Sequence, residues 1–252
     1  MSERHQFDPT VLREYDIRGI VGKTLSLADA RAVGRGFGTA VRRGGGKRVA
    51  VGWDGRLSSP ELASGMVEGL ASTGLDVVRT GMGPTPQLYF AARHLALDAG
   101  VQITGSHNPP DYNGFKMVLG KAPFWGRDIQ ELGRRVTAGD LEQGQGKVTD
   151  SDIRAAYVER LAQGLKWGER QLTVCWDNGN GAAGDIMVAL VKNLPGKHIL
   201  LNEKVDGTFP AHHPDPTVPE NLKQLQASVA ANRADVGIAF DGDADRIGAI
   251  DA

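Results

Sequence analysis

Alternation of short apolar segments with helical patterns constrains this chain more than any other feature. Residues 48–53, 75–80 and 98–103 read as strands. Over 26–43, Ala30, Val33, Phe37 and Val41 recur at helical spacing, with Ser26 placed to cap and Asp29 in the first turn. Gly44-Gly45-Gly46 ends that helix, and Ser59-Pro60-Glu61 opens the next with proline at its first position. A turn at 81–86 leads into a further helix through Leu95. Such alternation specifies an α/β layered fold.

Past 98–103 the pattern changes. Asp111-Tyr112-Asn113-Gly114 is a turn and 115–119 a strand. The connection is too short for a helical crossover, so the two strands are expected to be antiparallel and the sheet mixed. A helix follows at 128–135. The polar, Gly-rich stretch 138–149 suggests a boundary between domains at 1–146 and 147–252. The second half is again α/β. Helices are expected over 150–165, from Gly184 to Lys192 and over 221–231. Strands are expected over 172–176, 198–202, 235–240 and 247–251. A proline-rich loop fills 205–220.

Composition narrows the function. Apolar residues make up 40% and charged residues 23%, enough for a packed core, and the net charge of −1 offers no basic surface for nucleic acid or membrane. The lone cysteine, Cys175, lies in an apolar run and reads as a buried strand residue. The chain opens without a secretory pattern and shows no apolar span, so a reducing cytoplasm is the expected setting. Oligomeric state is not legible.

Two loops carry chemistry. Thr104-Gly105-Ser106-His107-Asn108-Pro109-Pro110 follows the 99–103 strand. Gly105 permits an unusual backbone angle and the prolines block a helix, so Ser106 is expected to stand out from a strand end. An ordinary polar turn is the plain alternative. Asp241-Gly242-Asp243-Ala244-Asp245-Arg246 follows the strand at 235–240. Three crowded carboxylates repel one another without a cation, and oxygen donors suit Mg²⁺. The stretch begins like an EF-hand loop but lacks the later glycine and glutamate. A solvated acidic turn is the alternative here. Arg18, before Gly19, reads as a guanidinium presented from a loop, and Arg246 as a phosphate ligand beside the metal. The His212-His213 pair reads as loop packing rather than as ligands. Gly179-Asn180-Gly181-Ala182-Ala183-Gly184 matches a dinucleotide fingerprint in form, with Glu203 about twenty residues on, and also reads as a tight strand-to-helix turn.

Taken together, the chain resembles the α-D-phosphohexomutases, most closely the bacterial phosphomannomutase/phosphoglucomutase branch. The resemblance is carried by Tyr-Asp-Ile-Arg-Gly at 15–19, the serine loop through Lys116, Asp-Asn-Gly-Asn-Gly at 177–181, residues 205–216, and Asp-Gly-Asp-Ala-Asp-Arg at 241–246. It implies two consecutive three-layer α/β/α domains with mixed sheets, the first two of the family's four. It also implies an isomerase that exchanges a phosphoryl group between Ser106 and a hexose 1- or 6-phosphate through a 1,6-bisphosphate. Mg²⁺ would be held by Asp241, Asp243, Asp245 and a phosphoserine oxygen. Arg18 and Arg246 would supply fixed positive charge, and His107 and Lys116 proton transfer and orientation. Lys116 is expected close to Ser106. Ala244 stands where the family commonly has glycine, and Asn178 where cysteine is frequent. Without the third and fourth domains, the 252-residue chain is expected to bind Mg²⁺ with little turnover. A non-catalytic two-domain module of the same fold is the alternative of a different class.

Overall fold

The computed structural model describes residues 4–166 and 168–251; Met1-Ser2-Glu3, part of the opening segment read for a secretory pattern, lies outside them. The first elements are β1 (Ile17–Ile20), α1 (Leu27–Arg43), β2 (Arg48–Trp53), α2 (Ser59–Ala71), β3 (Asp76–Met82) and α3 (Thr85–His94). They continue with β4 (Ala99–Ile103), β5 (Tyr112–Leu119), β6 (Ala122–Pro123), α4 (Arg127–Ala138) and β7 (Val148–Asp150). Helix α1 starts where expected. The Ser26 and Asp29 side chains and backbones bond reciprocally in a capping box, which contributes about 1 kcal/mol.

Among the described residues these strands form one seven-stranded sheet in the order β1-β5-β4-β2-β3-β7, with β6 beside β5. The pairs β2–β3 and β2–β4 are parallel, and β4–β5 is antiparallel with Gln102 opposite Lys116, so the sheet is mixed as expected. Helices α1, α2 and α4 cover one face over Val33, Phe37, Met66, Leu70 and Leu132. On the other face α3 contributes Leu88 against Ala50 and Val78. Helices therefore lie on both sides of the sheet.

Two expectations need correction here. Arg18 is not on a loop: it lies on β1, paired with Gly114 across the antiparallel ladder, and is buried. The boundary expected at 146/147 also moves. Strand β7 pairs in parallel with β3, so 148–150 belongs to the first sheet, and Asp150, expected to open a helix of the second domain, ends that strand instead. Its polar sequence fits a short, exposed edge strand, where one face need not be apolar.

The second domain runs α5 (Arg154–Gln163), β8 (Thr173–Asp177), α6 (Gly184–Leu190), β9 (Lys197–Leu201), α7 (Lys223–Asn232), β10 (Val236–Phe240) and β11 (Ile247–Asp251). Among the described residues its sheet has the order β11-β10-β8-β9, with β10–β11 antiparallel and β10–β8 and β8–β9 parallel. Cys175 is fully buried beneath Leu225 and Val229 of α7. On the other side Tyr157, Val158 and Ile186 form a second cluster, joined by Phe90 of α3. The Phe90 and Tyr157 rings lie 5.4 Å apart, so apolar packing links the two domains.

Candidate active site at facing strand ends

Every chemically notable loop leaves the C-terminal end of a parallel strand, the place where α/β sheets gather ligand-binding groups. Strand β2 delivers Asp54-Gly55-Arg56, β3 leads to Thr85, β4 delivers Ser106 and β10 delivers Asp241. The strand ends of the two sheets meet, so residues far apart in sequence come into contact.

Ser106 is buried, not held out into solvent. Its hydroxyl donates to Asp241 Oδ2 at 2.7 Å, and Gly242 packs against its carbonyl. The second domain therefore lies over it. The unusual backbone angle belongs to Ser106 itself, at φ 50°, and not to Gly105. Gly105 is needed for another reason: a Cβ there would sit 2.4 Å from the Arg56 guanidinium carbon.

The three carboxylates converge as their spacing suggests. One oxygen from each of Asp241, Asp243 and Asp245 lies within 4.8 Å of the others. Asp243 is fully buried, and its Oδ2 accepts from Thr85 Oγ1 and from Lys116 Nζ at 2.7 Å. Its Oδ1 has no hydrogen-bond partner among the described residues. An unpartnered buried carboxylate oxygen within an all-oxygen cluster fits a hard divalent cation. Lys116 also bonds Asp245, so it reaches the carboxylates of the other domain.

Charge on these groups follows from their surroundings. Burial and the neighbouring Asp243 push the Asp241 carboxyl up to about 7. Burial opposes ionisation of Asp243 as well, but the Lys116 ammonium outweighs it and holds that carboxyl below the ordinary value. For Lys116, burial is outweighed by Asp243 and Asp245, and its pKa rises. The His107 imidazole is lowered by burial and then by Arg246. Arg246 Nη1 lies 2.8 Å from His107 Nδ1, and Ser106 Oγ lies 3.3 Å from the same nitrogen. Because a guanidinium only donates, Nδ1 is the acceptor and the unprotonated nitrogen of that pair. Arg18 is bonded to Asp16, and its Nε is buried without a hydrogen-bond partner among the described residues.

Residues 9–143 match the family described as phosphoglucomutase/phosphomannomutase, alpha/beta/alpha domain I, and residues 155–252 match domain II of the same family. The chain belongs to this family. Among curated phosphoglucomutase/phosphomannomutase relatives, the Pseudomonas aeruginosa phosphomannomutase/phosphoglucomutase is 46% identical over 241 residues, covering 96% of this chain and 52% of the relative. The Neisseria gonorrhoeae phosphoglucomutase is 46% identical over 242 residues, covering 95% and 52%. This chain therefore spans about half the length of the curated relatives it matches. A crystal structure of a phosphoglucomutase/phosphomannomutase family protein from Burkholderia thailandensis superposes with a TM-score of 0.93 at 44% identity, covering 98% of this chain and 55% of that one. The α/β/α architecture of both domains is that of the family.

The glycine-rich turn at 179–184 does not offer a dinucleotide cradle. A Cβ at Gly181 would lie 2.9 Å from the Gly242 carbonyl oxygen, and one at Gly184 only 1.8 Å from that of Glu203. These glycines admit the chain's own backbone, so the turn buttresses the Asp loop. His212 is likewise structural in placement: its Nε2 meets Asp177 Oδ2 at 2.8 Å. Sequence reasoning passed over Thr85, Asp54 and Arg56. A threonine at a helix start and an Asp-Gly-Arg turn carry no local sign that they will touch loops 50 or more residues away.

Proposed function

We propose that this chain carries the phosphoserine and metal half of a phosphohexomutase site, acting on a hexose 1- or 6-phosphate. The observation that carries the reading is the 2.7 Å contact between the Ser106 hydroxyl and Asp241, within a carboxylate triad that has a buried, unpartnered oxygen. Glucose and mannose phosphates are the proposed substrates, by likeness to the relatives' names.

In the proposed cycle, phosphorylated Ser106 gives its phosphoryl group to a sugar hydroxyl. The Oγ–P bond breaks, a sugar O–P bond forms, and the proton lost by the sugar hydroxyl is in net taken up by Ser106 Oγ. The resulting hexose 1,6-bisphosphate turns over and returns its other phosphoryl group to Ser106. Asp241, Asp243 and Asp245 would hold Mg²⁺, which when bound supplies positive charge for the transferring group. Arg246 and Arg18 would face phosphate oxygens with fixed donors. Lys116, kept charged by two carboxylates, serves best as a counter-charge to the transferring phosphoryl group. His107 orients the sugar hydroxyl through Nε2, since Nδ1 is engaged by Arg246.

The test is a coupled assay for glucose 1-phosphate conversion to glucose 6-phosphate, with Mg²⁺ and a trace of glucose 1,6-bisphosphate. Intact-mass measurement follows phosphoryl uptake in parallel, with Ser106→Ala as control. One phosphoryl group on the native chain and none on the control upholds the reading, whatever the turnover. No uptake by the native chain defeats it.

A further inference from the structure

Among the described residues no side chain larger than Arg56 is fully buried. A buried guanidinium must replace its lost hydration with acceptors. Arg56 finds them in the serine loop. Nη2 donates to the carbonyls of Ser106 at 2.8 Å and Asn108 at 2.6 Å. Nη1 donates to those of Pro109 at 2.5 Å and Tyr112 at 3.0 Å. Asp54 completes the arrangement. Its Oδ2 lies 3.3 Å from Arg56 Nε and accepts from Thr104 Oγ1 at 2.8 Å and Gly105 N at 3.1 Å. The short Asp54–Arg56 turn thus bonds six positions between 104 and 112.

That hold falls on a strained residue. A non-glycine residue in the left-handed region, such as Ser106 at φ 50°, persists only where its surroundings impose it. The second domain also reaches this point: the Phe209 ring lies under the Arg56 guanidinium, 5.2 Å from its carbon. The carbonyls set the loop's path, the path sets the Ser106 conformation, and that conformation directs the hydroxyl to Asp241.

We propose that Arg56 is a positioning residue for phosphoryl transfer, its guanidinium gathering four loop carbonyls so that Ser106 is held in its left-handed conformation facing Asp241. The inference rests on Ser106 being the phosphoryl carrier. Lysine at 56 would keep the charge but not the planar fork, and its single ammonium cannot meet four carbonyls in one plane.

The experiment compares native protein with Arg56→Lys and Arg56→Ala by two readouts. Amide hydrogen exchange reports the loop directly and needs no chemistry. Phosphoryl uptake from glucose 1,6-bisphosphate with Mg²⁺, followed by intact mass, reports transfer. In Arg56→Lys, exchange is expected to quicken selectively over 104–112 while α1 stays protected. Its uptake is expected to slow roughly 10- to 100-fold, the range for a reacting group displaced by about an ångström. If Arg56→Ala folds, added guanidinium ion is expected to restore part of its uptake; if it does not fold, Arg56→Lys decides. Native-like exchange and uptake in Arg56→Lys overturn the proposal, as does loss of protection spread evenly through the chain. If the native protein takes up no phosphoryl group, the phosphoserine reading fails by itself, and selective or unselective exchange then decides for or against the Arg56 hold.

Discussion

Thr85, the first residue of α3, donates its hydroxyl to the Asp243 carboxylate and its backbone N–H to the Asp243 carbonyl. A helix of the first domain thereby fixes a carboxylate of the second. With Oδ2 held by Thr85 and Lys116, Oδ1 is the Asp243 oxygen left for a cation.

Thr85→Val keeps the shape and removes the donor. Divalent-ion affinity is expected to fall about 10- to 100-fold, the usual effect of losing a partner that orients a ligand. Titration calorimetry with Mg²⁺ or Mn²⁺ measures it. Unchanged affinity would show that Thr85 does not orient Asp243.

Lys116→Met leaves the Asp243 charge buried and without its cation. Loss of one partner of a buried pair is expected to cost the metal-free protein about 3 kcal/mol. Saturating Mg²⁺ is expected to recover part of that loss, because the ion replaces the missing charge. Denaturant unfolding with and without Mg²⁺ gives both numbers, and equal losses in the two conditions would refute the compensation.

His212 and Asp177 predict a pH signature. Hydrogen bonding to Asp177 raises the imidazole, so its contribution is full below the ordinary histidine value of 6.5 and fades as pH rises through the raised one. For Asp177, burial is outweighed by its bonds to His212 and Asn202, and its pKa falls. That contribution is full above the ordinary value of 3.8 and fades as pH drops through the lowered one. The stability gap between native protein and His212→Asn is therefore expected to be widest between the two ordinary values. A charged hydrogen bond there contributes about 2 kcal/mol. Urea unfolding across that range and above it checks the shape, and a gap independent of pH would contradict it.

Ala244 sits at φ 55° in the Asp loop, where glycine is unstrained. Left-handed strain on alanine costs roughly 1–2 kcal/mol, and the greater unfolded-state freedom of glycine returns part of it. Ala244→Gly is expected to stabilise by about 0.5 kcal/mol, read as a raised Tm. A lowered Tm would mean that the loop does not bear this strain.

Local patterning was enough for the layers. Capping at Ser26, proline at the start of α2 and the short link between β4 and β5 all act within a few residues, so the elements and the mixed sheet were legible. Strand β1 was not, because four residues with mixed character carry too little periodicity. Strand β7 was not, because an exposed edge strand lacks the apolar face that marks a strand.

The sequence alone determined the chemistry available: a serine in a glycine-proline frame, three alternating aspartates, and the basic residues around them. Those types and spacings are local properties. Only tertiary structure decided how they are used. It buried Ser106 under the second domain, put Arg18 on a strand, and passed the Asp243 carboxylate to Thr85 and Lys116. It also wrapped the serine loop around Arg56. The physical reason is separation along the chain. Buried polar groups must find partners, and here those partners come from distant strand ends that no local pattern encodes.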